Sequence, residues 1–372
     1  MFPIIKRRVI SEEVDLPNDI HPVLKRIYAA RDIKSADDLN YSLQMLLPFD
    51  SLSNIHAAVA LLADAIKKNK RILIVADFDA DGATSCVVGL KGLRKMGATD
   101  VVYVVPNRFE FCYGLSPEIV DVAAEMQPDL IVTVDNGISS VEGVQRARDK
   151  GIDVLITDHH LPGKELPNAN AIVNPNQAGD KFPSKMLAGV GVMFYILVAL
   201  RACFREQNWF HEQKLIEPNL AELLDLVALG TVADVVPMDR NNRLLVSQGL
   251  ARIRSGKCRP GIKALLLAAN RTVERVTAQD MGFAVGPRLN AAGRLSDMSL
   301  GIECLLSDDE MQAKNMAFRL DELNKERREI QNEMQEQALI DITELDLDEA
   351  EMPFGVCLFN ENWHQGVIGI LA

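Results

Sequence analysis

Three aspartates at alternate positions, Asp77, Asp79 and Asp81, followed by Gly82, close the apolar run Ile72-Leu73-Ile74-Val75. Carboxylates this close repel one another unless a cation sits among them, and a divalent ion suits such a cluster. Two more groups of this kind end apolar runs: Asp135 and Asn136 in TVDNG, and Asp158, His159 and His160 in ITDHH. A fourth acid, Asp234, follows the run LVALGTVA. Brought together, these acids and imidazoles could ligate two divalent cations with Asp135 as a bridge. Such a pair, about 3.5–4 Å apart, is suited to in-line phosphoryl displacement.

Each piece also has a plainer meaning. The pattern DxDxDG opens an EF-hand loop, but the twelfth position is Val88 where that loop needs a bidentate glutamate. Asp79-Ala-Asp81 after a strand also resembles the nucleophile and acid of aspartyl phosphatases, which leaves the Asp-His-His triplet without a role. VDNG alone is a turn, since Asn-Gly favours positive φ, and the two adjacent histidines alone read as structural. Their joint occurrence at successive strand ends is what these readings leave out.

The elements that must position these residues start at Arg71. RILIVADF, DVVYVVP, LIVTVDNG, DVLITDHH and AIVNPN read as strands, the first three separated by helical segments. This alternation predicts an α/β fold with a parallel β-sheet flanked by helices, whose strand ends share one edge and one crevice. Residues 1–50 read as an N-terminal helical lead-in and 51–310 as the catalytic α/β body. Residues 311–350 read as a long connecting helix with Leu320, Leu323, Ile330 and Met334 on a narrow apolar stripe. In 351–372, FGVCLFN reads as a strand and WHQGVIGILA as the start of a helix, the beginning of a second α/β unit too short to complete a domain.

Among 372 residues, 48% are hydrophobic and the six cysteines form no CxxC pair, which excludes a disulfide framework and a thiolate zinc site. The charged N-terminus lacks the apolar core of a signal peptide, so the expected compartment is the cytoplasm. The uncharged stretch from Met186 to Leu200 falls short of the ~20 residues of a spanning helix and reads as a buried core helix, with no membrane association expected. The net charge of −12 disfavours nucleic acid on average. From Arg240 to Arg275, however, nine Lys and Arg face a single Glu, a belt that is either an anion-binding surface or a solvated face.

The four acidic motifs, in this order, resemble those of the DHH phosphoesterase superfamily. VVPNRF, KMLAGVGV, LLDLVALGTVADVVP, GKCRPGIKALL, GPRLNAAGR and WHQGVIGILA further resemble its bacterial single-stranded-DNA-specific exonucleases, over essentially the whole chain. The resemblance implies a metal-dependent 5′→3′ exonuclease of recombination and repair that uses two Mn²⁺ or Mg²⁺ ions. It implies Asp79, Asp81, Asp135, His159 and Asp234 as ligands, with Asp77 a nearby ligand, and His160 against the scissile phosphate. Asp158 and Asn136 would support the ligands from behind, Asp158 by orienting a ligand histidine. Arg108, Tyr113, Arg288, Asn290 and Arg294 would contact the strand or its terminal phosphate. Phe111 and Cys112 depart from the family pattern before Tyr113.

The partners it implies are single-stranded DNA, a single-stranded-DNA-binding protein and a RecQ-type helicase, with the chain a monomer. The family continues through a DHHA1 domain and an OB-fold, so 351–372 would be the beginning of the DHHA1 domain and this chain a poorly active, truncated form. The alternatives are a small-substrate phosphodiesterase or pyrophosphatase of the same superfamily, and a non-catalytic metal-binding fragment.

Overall fold

Five short runs rich in Val, Ile and Leu cannot face water on either side, and they pair into one sheet. They are β1 (Ile72–Ala76), β2 (Val101–Val104), β3 (Leu130–Val134), β4 (Asp153–Thr157) and β5 (Ala171–Val173). In this computed structural model, which describes residues 6, 14–31, 33–111, 114–344 and 354–372, all strands are parallel and ordered β2-β1-β3-β4-β5. Ile74 lies between Tyr103 and Val132, and Val134 between Ala76 and Thr157. The chain leaves β1 for β2 on one side and returns to β3 on the other, so the crevice beyond the ends of β1 and β3 is a topological switch point. The five runs predicted as strands of this sheet are all strands.

The helices follow in chain order. α1 (Pro22–Ala29) and three 3₁₀ turns precede α2 (Ile55–Lys67), α3 (Ala80–Lys95), α4 (Pro117–Glu125) and α5 (Val141–Asp149). Then come α6 (Gly189–Glu206), the single turn α7 (Trp209–Glu212), α8 (Leu224–Ala233), α9 (Arg240–Arg254) and α10 (Pro260–Ala268). The short α11 (Ala278–Asp280) runs through a π-helical turn, Met281–Val285, into α12 (Gly286–Leu295), followed by α13 (Ser299–Leu306), α14 (Glu310–Glu344) and α15 (Ile368–Leu371).

Alternation along the strands divides the core. Leu73 and Val75 pack with Ile119, Val120, Val144 and Ala147 of α4 and α5. Ile72 and Ile74 belong to the larger cluster with α2, α3 and α6, which continues into the later helices. α6 is apolar on all sides because it is enclosed on all sides, with Val190 to Leu197 buried. Among the described residues no single helix is long and apolar enough to cross a membrane.

The long helix forms as α14 and packs on α10, α12 and α13, with Leu320, Leu323 and Met334 of the expected stripe buried and Ile330 half-buried. FGVCLFN is a correction: residues 354–360 are not a strand. A strand exists only through a hydrogen-bonded neighbour, and no described strand lies beside this segment. Val367 is buried and α15 packs on α14. The expected junction between the long helix and the next unit falls at 345–353, outside the described residues.

Candidate metal centre at the carboxyl edge of the sheet

The first ligand loop is built by a helix start. Asp79 caps α3, its Oδ1 accepting from the amides of Asp81 and Gly82 at 2.9 Å each. Asp77 Oδ1 accepts from the Phe78 amide at 2.7 Å. Asp81 points across to the N-terminus of α6, where its two oxygens accept from Gly189 N at 2.6 Å and Val190 N at 3.0 Å. These amides carry the positive end of the helix dipole, which favours a carboxylate.

β3 supplies Asp135 by an unusual backbone. Its φ of 64° is left-handed, and its amide donates to Thr157 O at 3.0 Å. The positive φ values of VDNG thus fall on Asp135 and Gly137 rather than on Asn136. Asn136 is 1% exposed and donates from Nδ2 to Val75 O and Val134 O at 3.1 and 2.9 Å, stitching β1 to β3 behind the ligands. Asp135 is pressed against α6, where a Cβ on Gly189 would stand 2.7 Å from its Oδ1. Only glycine fits there.

His159 joins these elements. Its Nε2 lies 3.1 Å from Asp135 Oδ1, 3.4 Å from Asp234 Oδ2 and 3.9 Å from Asp81 Oδ2. Asp234 arrives from the C-terminal end of α8. Side-chain atoms within 4.8 Å of one another form three overlapping sets: Asp77, Asp79 and Asp135; Asp81, His159 and Asp234; and Asp135, His159 and His160. All six expected ligands therefore meet in one crevice, and Asp135 belongs to two of the sets.

Electrostatics shows what the cluster would hold. Burial first, and Asp79 next, push Asp77 to about 8 and Asp81 to about 7; burial and Asp81 push Asp234 to about 7. Asp135 is raised well above the carboxylate range by burial and by Asp81, Asp79, Asp77 and Asp234. Burial holds His159 below its ordinary value, which leaves the imidazole neutral and able to ligate. Hard oxygen donors with one neutral imidazole fit Mn²⁺ or Mg²⁺, and a cation there would relieve the repulsion.

Asp158 is 1% exposed and serves the other histidine. Its Oδ1 lies 2.8 Å from His160 Nδ1, while Oδ2 accepts from Ile138 N at 2.9 Å. That bond, with the charge of Asp158, raises His160 to about 9 despite partial burial. His160 is a cation at neutral pH.

The expected strand contacts divide. Arg108 lies with its guanidinium 4.0 Å from the Phe78 ring centroid and donates from Nε to Gly293 O at 3.1 Å, close enough to Asp77 and Asp79 to feel their charge. Arg294 donates to Gly366 O at 3.1 Å and feels Arg108. Arg288 is turned away: Asp321 of α14 takes its Nε at 2.9 Å and Nη2 at 2.7 Å, and Ala284 O takes Nη1. Asn290 accepts from Ala80 N at 2.7 Å and so faces the ligand loop. Tyr113 and Cys112 lie outside the described residues.

Two residues were missed. Arg327 of α14 feels the charges of Arg328 and Arg294 and so borders the guanidinium cluster, while its Nη1 and Nη2 donate to Gln331 Oε1 at 2.8 Å and Asn324 Oδ1 at 2.6 Å. His364 stacks edge-on to Phe109 at 5.7 Å and receives Gly366 N on its Nδ1 at 3.1 Å, beside Arg294. The signal for Arg327 lay in the stripe of α14, where a charge fills the seven-residue gap between Leu323 and Ile330.

The basic belt is largely occupied. Arg240 pairs with Asp38, Arg259 with the buried Asp225, Lys263 with Glu310 and Arg271 with Asp280, while Arg243 and Arg254 donate to Met238 O and Val276 O.

A doubly wound parallel sheet with acids and imidazoles gathered at its switch point defines an α/β protein built to hold divalent cations. Residues 71–231 match the DHH family, N-terminal domain, and the chain belongs to that family. It is 54% identical over 368 residues to the single-stranded-DNA-specific exonuclease RecJ of Escherichia coli, covering 99% of this chain and 64% of that protein. RecJ of Thermus thermophilus is 34% identical over 360 residues, covering 97% of this chain and 49% of the relative. The chain thus spans under two thirds of the length of these relatives. Among solved structures, exonuclease RecJ bound to manganese superposes with a TM-score of 0.74 at 34% identity, over 88% of this chain and 78% of that one. The Mn²⁺ complex of Thermus thermophilus RecJ gives 0.76 at 32% identity, over 93% and 47%.

Proposed function

We propose that this chain carries the catalytic centre of a 5′→3′ exonuclease for single-stranded DNA, working with two Mn²⁺ or Mg²⁺ ions. The observation that carries it is the ring of Asp81, Asp135 and Asp234 around His159 Nε2, at 3.1–3.9 Å, with the arginine cluster beside the same ligand loop. The RecJ relatives, named for single-stranded-DNA exonuclease activity, support the same reading.

Asp77, Asp79 and Asp135 would hold one cation and Asp81, His159 and Asp234 the other, with Asp135 also 3.1 Å from His159 Nε2. Bound there, the pair would supply Lewis acidity toward a phosphodiester and lower the pKa of water. The chain supplies the rest. The α6 amides fix Asp81, the left-handed turn at Asp135 sets its carboxylate toward His159, and burial keeps His159 unprotonated. His160, held cationic by Asp158, can face a phosphate oxygen as charge builds on it. Arg108, Arg294 and Arg327 offer guanidinium forks to the phosphates of a strand. By the same reading a RecQ-type helicase supplies the strand, a single-stranded-DNA-binding protein keeps it open, and the setting is cytoplasmic repair and recombination. These rest on the sequence resemblance alone.

The test is digestion of 5′-labelled and 3′-labelled single strands with Mn²⁺, beside a duplex, a cyclic dinucleotide and pyrophosphate. Early release of 5′ label from single strands, lost in Asp135→Ala, is expected. Preference for a small substrate, or early 3′ release, overturns the proposal.

A further inference from the structure

We infer that Asn290 is a positioning residue for the cation ligands, rather than the strand contact that its motif suggests. The inference rests on the reading that Asp79 and Asp81 hold cations.

The opening turn of α3 leaves amides with no partner inside the helix. Asp79 satisfies Asp81 N and Gly82 N from its own side chain, and Ala83 N bonds Asp79 O at 2.9 Å. The remaining donor, Ala80 N, lies between the two ligands. Asn290 Oδ1 takes it at 2.7 Å, from 210 residues away.

A second contact makes this a grip. A Cβ on Gly293, one turn along α12, would stand 1.8 Å from Phe78 O, so only glycine permits the approach. α12 thus holds residue 78 by close packing and residue 80 by a hydrogen bond, on either side of Asp79. Arg108 closes the third side by stacking on Phe78 and bonding Gly293 O. The loop so held feeds both cation sets, because Asp79 belongs to one and Asp81 to the other. Loss of one acceptor should therefore loosen both, as residues that orient metal ligands generally do.

The chemistry separates the two roles. Positioning needs an acceptor at Oδ1, which aspartate also provides; a phosphate contact needs the Nδ2 donor, which aspartate removes while adding a repelling charge. Calorimetric titration of the 372-residue chain with Mn²⁺ in the absence of DNA decides the matter, paired with kcat and KM on single strands. Asn290→Ala should weaken Mn²⁺ binding about 10–100-fold and lower kcat at low Mn²⁺ with KM for DNA little changed, and Asn290→Asp should restore Mn²⁺ binding. Unaltered Mn²⁺ binding in Asn290→Ala, or Asn290→Asp binding Mn²⁺ no better than Asn290→Ala, overturns the inference. If Asn290→Ala does not fold, near wild-type binding by Asn290→Asp supports the acceptor role and weakened binding refutes it. A wild-type chain that takes up no Mn²⁺ overturns instead the reading beneath it.

Discussion

Asp158 Oδ1 lies 2.8 Å from His160 Nδ1, so the carboxylate takes only the backbone amide of its neighbour His159, at 2.7 Å, and fixes the ring of the second histidine of the triplet. The two adjacent imidazoles consequently differ in charge, His159 held neutral by burial and His160 cationic by its partner.

Replacing Asp158 by Asn should bring His160 down from about 9 toward its ordinary 6.5, since the bond that raises it loses its charge. Hydrolysis at neutral pH should fall about 10–100-fold while Mn²⁺ binding changes less. NMR titration of the His160 ring checks the first part; an unshifted ring would show that Asp158 does not control it.

Asp135→Ala should be more damaging than Asp234→Ala, because Asp135, like His159, belongs to two of the three sets and Asp234 to one. Turnover with Mn²⁺ in excess measures this. Equal losses, or normal turnover in Asp135→Ala, would contradict a shared ligand.

The metal-free chain should lose stability as pH rises from 5 to 8. Asp77, raised from an ordinary 3.8 to about 8, and Asp81 and Asp234, raised to about 7, stay protonated in the fold over a range where the unfolded chain has released those protons. Stability present at low pH is thereby lost as pH climbs to their folded values. His160, raised to about 9, acts in the same direction, and His159, lowered, opposes it. Urea unfolding in chelator at several pH values, repeated with Mn²⁺, reads the trend. Saturating Mn²⁺ should reverse it, since cation binding displaces the protons. A metal-free chain more stable at pH 8 than at pH 5 would refute the assignment.

Arg259→Glu should cost about 3–5 kcal/mol of stability by breaking a buried pair and setting a second carboxylate against Asp225. Arg327→Gln should cost less stability than Arg259→Glu, although it removes a donor to the buried Asn324 Oδ1, and should raise KM for single strands and flatten its salt dependence. Denaturant melts and KM at two salt concentrations separate the cases; the opposite pattern would restore the belt as the strand track.

The sheet and the meeting of Asp77, Asp79, Asp81, Asp135 and His159 were legible because these residues directly follow runs that become strands, and a parallel sheet brings such ends together whatever their separation in sequence, whereas Asp234 follows an apolar run that is the helix α8. The partner of Asp158 was not legible, because His159 and His160 are equally near in sequence and only the ring geometry chooses between them. The pairing of the belt was not legible for a related reason: its counter-charges, Asp38, Asp225, Asp280 and Glu310, all lie outside the window in which the excess was seen. Arg288 and Asn290 stood in the right motif, but a motif says which segment nears the site and not which way each side chain turns.

The central claim is a two-cation centre shared through Asp135. Anomalous diffraction from crystals of the chain soaked in Mn²⁺ tests it most directly. Two manganese peaks are predicted at the carboxyl ends of β1, β3 and β4, both in contact with Asp135, one also with Asp77 and Asp79 and the other with Asp81, His159 and Asp234. A single peak at saturating Mn²⁺, or peaks away from Asp135, would contradict the account.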